Sequence, residues 1–165
     1  TDANAFCFEE AGRAYGINPL LIEGIAKTES NLNPKALNKN QNGSVDMGLM
    51  QVNSFWIKAL GLSPHELISD PCYNTMAGTR ILRECINRLG YTWEAVGCYN
   101  AKSMNKKVAY SWKIFNKLKV KDKGTKVVLK QMDKELNTTG TINNSSLFFR
   151  ARGIASPSRT ETEMR

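Results

Sequence analysis

Two carboxylates, Glu29 and Asp46, bracket a polar, turn-rich stretch of the chain, and the segments that carry them differ in character. Leu21, Ile22, Ile25 and Ala26 repeat at helical spacing. Glu29 follows Ile25 by four positions and Leu21 by eight, which places it on the buried face near the helix's C-terminal end. Burial and the negative end of the helix dipole both disfavour an ionised carboxyl there, so its pKa should rise. Asp46 lies just after Asn42-Gly43 among hydrogen-bonding Asn and Ser side chains. One carboxyl kept protonated and one kept ionised is the asymmetry that cleavage of a glycosidic bond needs: the first protonates the leaving oxygen, the second faces the developing sugar cation. The same spacing also accommodates a Glu29 swung out to solvent and an Asp46 that is only a turn residue.

The elements that must position these groups are mostly helices. Residues 3–15 read as one, stopped by Gly16. Asn18-Pro19 supplies an N-cap and a first-turn proline for the next, which runs to about Ser30. Asn42-Gly43 tolerates positive φ at both positions and marks a small β-hairpin, with a short strand in the stretch from Val45 to Val52. A further helix is expected over Asn74–Leu89, closed by Gly90; one capped by Thr92 carries Trp93, Val96 and Tyr99. Ser103 caps another, with Met104, Val108, Trp112, Phe115 and Leu118 as its apolar stripe.

Four cysteines, Cys7, Cys72, Cys85 and Cys98, stand at wide, irregular spacing with no C-x-x-C pair, and His65 is the sole histidine. That pattern favours two disulfides in an oxidising compartment over a metal site. Cys72 and Cys85 are separated by most of the Asn74–Leu89 helix, more than about 15 Å, beyond the reach of a disulfide. Two connectivities remain, Cys85–Cys98 with Cys7–Cys72 and Cys7–Cys85 with Cys72–Cys98. Cys85 and Cys98 lie at similar heights on consecutive helices, which favours the first.

An apolar share of 41% in 165 residues supports one real core. No apolar run is long enough to span a bilayer; no secretory signal is read at Thr1, and export would be expected to have removed it. Charge is uneven. Residues 1–100 hold eight Lys/Arg against ten Asp/Glu; residues 101–165 hold fifteen against five. Lys121 to Gly124 reads as a linker, Val128 to Leu136 as one short helix, and the chain from Asn137 as disordered apart from the apolar trio Leu147-Phe148-Phe149. The expected division is therefore a domain over 1–122 and a basic extension over 123–165. Residues 101–134 carry eleven lysines against two acids, interleaved with Tyr110, Trp112 and Phe115. A cationic protein gripping nucleic acid, or a non-catalytic wall-binding protein, is the competing class. The aromatics fall on the helix's apolar face, where they serve the core rather than base stacking, and no nucleic acid is expected as a partner.

The segment from Glu29 through Asp46 to Trp56, with Gly48-Leu49-Met50-Gln51 inside it, resembles the catalytic region of the lysozyme superfamily. It is similar to animal c-type lysozymes from acid to acid, while Gly48-Leu49-Met50-Gln51 resembles the mark of the family 1 lytic transglycosylases. Asn74 with Gly78, and Ala95-Val96-Gly97-Cys98-Tyr99-Asn100-Ala101, resemble further motifs of that family. The resemblance covers roughly residues 5–120. It extends to the specialised transglycosylases that accompany type III secretion, conjugation and type IV pili.

The resemblance implies an α+β, predominantly α, lysozyme-like fold with the hairpin beside a cleft. It implies a periplasmic enzyme cleaving the glycan strands of peptidoglycan, without cofactor or metal, as part of a wall-spanning machine; a monomer is expected. Glu29 would be general acid and then base, and Ser30 would orient it. Gln51 and Asn53 would bond the sugar or help hold Glu29, and Tyr99 and Asn100 would line the cleft. Met47 and Met50 would be wall and core. Asp46 departs from the transglycosylase pattern and matches the lysozyme one. The first branch ends in a 1,6-anhydro sugar, the second in hydrolysis with Asp46 as stabiliser or nucleophile.

Overall fold

The structure, a computed structural model, describes residues 6–100, 104–119 and 130. Expectations for the first five residues, Ala101, the Ser103 cap, the 121–124 linker, the 128–136 helix, the apolar trio and the extension as a whole lie outside them. The described chain runs α1 (Phe8–Tyr15), α2 (Pro19–Ser30), β1 (Leu37–Lys39), β2 (Val45–Met47), β3 (Val52–Asn53), α3 (Ser54–Leu60), α4 (Pro64–Ser69), α5 (Pro71–Leu89), α6 (Trp93–Asn100) and α7 (Met104–Lys119). This is the expected α+β fold, predominantly helical with a small antiparallel sheet.

Helix α2 forms where its signals place it. The Asn18 side chain accepts from the Leu20 amide at 2.9 Å, Pro19 occupies the first turn, and Asn31 ends the helix in the left-handed region. Its apolar residues Leu21, Ile22, Ile25 and Ala26 are fully buried. They pack α2 between α1 and α7, where Ile114 and Leu118 are also buried. Burying each large aliphatic side chain contributes about 2 kcal/mol, so this helix, and the Glu29 it carries, is anchored from inside.

Helix α5 begins three residues before the expected Asn74, because Asp70 caps it, accepting from the Cys72 and Tyr73 amides, and Pro71 opens its first turn. Helices α3 and α4 were not read from the sequence. Each is a turn or two long, too short for periodicity to declare it, and each rests on a cap: Asn53 for α3, Ser63 followed by Pro64 for α4. On α7 the fully covered positions are Tyr110, Ser111, Ile114, Phe115 and Leu118, with Trp112 and Val108 only half-buried. The stripe thus turns away from the expected one and brings Tyr110 to the interior.

The expected hairpin is a three-stranded sheet in the order β1-β2-β3. The strand expected within Val45–Val52 breaks after Met47 into the tight turn Gly48–Gln51 and resumes as β3. The register pairs Asn38 with Asp46 and Asp46 with Asn53, so these three polar side chains form one row across a single face. Disulfides join Cys7 to Cys72 and Cys85 to Cys98, with Cα separations of 5.1 and 5.9 Å, the pairing the helix geometry favoured. The first ties the start of α1 to α5, the second ties α6 to α5. Among the described residues, no helix is long and apolar enough to cross a membrane.

Candidate active site

The centre of the site is the C-terminal end of α2. Glu29 is half-buried there, and its carboxyl accepts a short hydrogen bond from the Tyr110 hydroxyl of α7. Asn100, at the end of α6, is a second side-chain partner. Burial pushes the Glu29 pKa from the ordinary 4.5 up to about 7, and the nearby negative charge of Asp46 adds to the rise. The Tyr110 and Asn100 hydrogen bonds and the Lys113 charge pull in the opposite direction without overcoming desolvation. The result is a carboxyl able both to give and to take a proton near neutral pH, as general acid–base work requires.

Ser30 fixes this helix end to the loop beside it. Its hydroxyl lies 2.7 Å from the Leu49 carbonyl, so the side chain bonds the turn rather than Glu29 itself. That turn is over-determined. Gly48 has φ +73°, and a Cβ there would lie 2.2 Å from Asn74 Nδ2 and 2.4 Å from the Leu67 carbonyl; only glycine fits. The fully buried Asn74 side chain donates to the Met47 and Leu67 carbonyls and accepts from the Met50 amide. One turn along α5, a Cβ on Gly78 would lie 2.6 Å from the Met50 Cβ and 2.9 Å from the Tyr99 hydroxyl. The Asn74 and Gly78 positions therefore act together: one clamps the turn, the other lets it approach the helix.

Tyr99 reaches the same turn from α6, its hydroxyl donating to the Met50 carbonyl at 2.7 Å. Burial, and then the charges of Glu29 and Asp46, push its pKa well above 10, which keeps the phenol a donor; burial and Glu29 do the same for Tyr110. Gln51 sits at φ +48°, and its amide donates to the Gly48 and Ala36 carbonyls at 2.9 and 3.2 Å. Asn53 donates to Asp46 at 2.6 Å and to Ser44, while its oxygen caps α3. Asn40 donates to the other Asp46 oxygen at 2.9 Å. Both Asp46 oxygens thus accept hydrogen bonds and are held by the sheet.

The structure accordingly brings Glu29, Ser30, Asp46, Gln51, Asn53, Tyr99 and Asn100 into one neighbourhood but distributes the work differently. Asn100 acts on the acid's pKa from the end of α6, while Tyr110 bonds it directly. Ser30, Gln51, Asn53 and Tyr99 brace the backbone or Asp46 and make no hydrogen bond to Glu29. Met50 is fully buried and Met47 half-buried, as core and wall. Tyr110 is the residue sequence reasoning missed: it was read with the core aromatics, and its only signal was a hydroxyl on an otherwise apolar face. Asn31, Leu32 and Gln51, all with φ near +50 to +65°, crowd the site. Left-handed backbone at a residue such as Leu32 costs about 1–2 kcal/mol, and strain of that kind gathers at functional sites.

Beside Glu29 runs an open groove of about 810 Å³, lined by the end of α2, the 31–38 segment, Gln51 and Lys117 of α7. With the acid, its braced turn and this groove in place, comparison with known proteins is decisive. The profile of the Transglycosylase SLT domain family matches residues 6–116. The chain belongs to this family. Among curated relatives, Invasion protein IagB of Salmonella typhimurium is 42% identical over 106 residues, 62% of this chain and 66% of that protein. Protein IpgF of Shigella flexneri is 43% identical over 106 residues, 62% of this chain and 70% of its own length. A peptidoglycan-binding-like protein of Escherichia coli O157:H7 is 39% identical over 127 residues, 68% of this chain and 76% of that one. The chain spans just under two thirds of the Salmonella protein's length. The SLT match contains Glu29 and the residues braced around it, including Tyr110, and stops one residue short of Lys117.

Proposed function

We propose that this SLT-family chain cleaves the β-1,4 bond between N-acetylmuramic acid and N-acetylglucosamine in peptidoglycan as a lytic transglycosylase, with Glu29 as the acid. The observation that carries the reading is Glu29 itself. It is a half-buried carboxyl at a groove, with a pKa of about 7 and donors from Tyr110 and Asn100 on its oxygens. Protonated Glu29 gives its proton to the glycosidic oxygen as the C1–O bond breaks, and the acetamido oxygen of the muramic acid bonds to C1. The resulting Glu29 carboxylate then takes the proton of the C6 hydroxyl. The C6 oxygen displaces the acetamido oxygen from C1, which closes a 1,6-anhydro ring and restores the acid. A pKa near 7 suits both halves of this exchange.

In this reading Ser30, Tyr99 and Gln51 keep the Gly48–Gln51 turn rigid behind the acid. Asn100 and Tyr110 hold the carboxyl against rotation. Asp46, locked by Asn40 and Asn53, contributes negative charge near the developing sugar cation. The reading with water as final acceptor and Asp46 as partner rests on that same charge, which acts on Glu29. Mass analysis of products from purified sacculi separates them: 1,6-anhydromuramic ends, one water lighter than reducing ends, support the transglycosylase, and reducing ends alone the hydrolase.

Two disulfides suit the oxidising periplasm. Similarity to a protein named for invasion supports local wall opening for a large assembly. A catalytic domain over residues 1–122, acting as a monomer with a basic extension over 123–165, completes the proposal.

A further inference from the structure

The groove beside Glu29 carries more positive charge than a neutral sugar calls for. Its lining includes Lys27, Lys35 and Lys117 against one carboxyl, Glu29, which is largely protonated below pH 7. Leu37 and Asn38 of β1 belong to the lining and Asp46 does not, so the groove runs past the sheet's edge strand rather than over Asp46. Lys27 is engaged with Glu23 at 2.6 Å. Lys35 and Lys117 are exposed and, among the described residues, in no ion pair. Lys117 also belongs to a stripe. Tyr110, Lys113 and Lys117 fall at i, i+3 and i+7 on one face of α7: the first bonds Glu29, the second acts on its charge, and the third lines the groove. Seven residues of helix carry Lys117 about 10 Å beyond the residue that holds the acid.

Resting on the glycan-cleaving reading above, the geometry points to this groove as the seat of the peptide stem, with Lys35 and Lys117 pairing its carboxylates. Hydroxyl and acetamido groups of the glycan are satisfied by neutral Asn and Gln side chains; ammonium groups match carboxylates. Peptidoglycan offers carboxylates at two places. On a strand stripped of peptide, the lactyl carboxylate sits on the muramic ring itself, close to the reacting carbon. On a substituted strand that carboxyl is an amide, and the carboxylates lie further out along the stem. A lysine one to two helical turns past the acid's partner fits the outer set. At about 810 Å³ the groove lies in the upper part of the range of about 300–1,000 Å³ for ligand sites. The enzyme should therefore prefer strands that still carry their peptides.

The test compares the full chain on peptide-bearing strands and on strands denuded by an amidase, prepared from the same sacculi, using kcat/KM for each. Wild type should favour peptide-bearing strands by about tenfold, the gain of two partly exposed ion pairs, and the preference should shrink with salt. In the double variant Lys35→Gln/Lys117→Gln the ratio should fall close to one, and Lys35→Arg/Lys117→Arg should retain most of it. A ratio unchanged by the glutamine substitutions would overturn the inference. So would a lysine-dependent preference for denuded strands, which would assign the groove to the lactyl carboxylate. Wild type cutting neither strand would instead bring down the glycan-cleaving reading on which this one rests.

Discussion

Replacing Glu29 by Gln should make the protein more stable in alkaline solution, and the size of the effect follows from the site. Folding raises the pKa of Glu29 from 4.5 to about 7. Between those values the folded state holds a proton that the unfolded chain has released, so wild-type stability falls as pH rises through this window. At about 1.4 kcal/mol for each pH unit, the interval amounts to about 3 kcal/mol. The sign is that of a raised carboxyl: stability is fully present below pH 4.5 and is lost as pH climbs through 7. Gln is neutral at every pH, nearly isosteric, and its oxygen can still accept from Tyr110. Urea unfolding of both proteins from pH 4 to 8.5, with disulfides intact, should show wild type losing about 3 kcal/mol relative to Glu29→Gln across that range, with m unchanged. Parallel pH dependences would refute the reasoning, because they would mean that folding leaves the Glu29 pKa unshifted.

Three further outcomes are expected. Tyr110→Phe removes a donor that favours the ionised acid, so the alkaline limb of the pH–rate profile should move to higher pH while kcat falls by about tenfold; a merely structural role for Tyr110 would leave the limb in place. Asp46→Asn removes a charge that raises the Glu29 pKa, so the limb should move to lower pH, with a smaller loss of activity than Glu29→Gln, as measured by release of soluble muropeptides. Gly48→Ala places a Cβ against Asn74 and the Leu67 carbonyl at positive φ; thermal unfolding should show a loss of at least about 3 kcal/mol.

The sequence made the long elements legible because their signals are local. Asn18-Pro19 caps α2 and the Leu21–Ile25 stripe orients it; that spacing allowed Glu29 to face inward or to swing out to solvent, and the Tyr110 hydroxyl on α7 holds it inward. Helix rise excluded a Cys72–Cys85 bond, and the similar heights of Cys85 and Cys98 favoured, without fixing, the pairing found. The short helices α3 and α4 were invisible because six or seven residues do not complete a periodic pattern and their caps looked like ordinary loop residues. The third strand was missed because Gly48 divides one apparent strand into a turn and two stubs, a break fixed by Asn74, twenty-six residues away. The division of labour within the site was hidden for the same reason. Tyr110 meets Glu29 across 81 positions of chain, and a phenol on an apolar stripe carries no mark that distinguishes a core residue from the acid's partner.

Cleavage depends most directly on Glu29 as the proton donor. Release of muropeptides from purified peptidoglycan by folded Glu29→Gln, measured beside wild type, tests it. Removing a general acid costs roughly a hundredfold or more, so the variant should release almost nothing while wild type yields 1,6-anhydro products; near wild-type release by a folded Glu29→Gln protein would contradict the account.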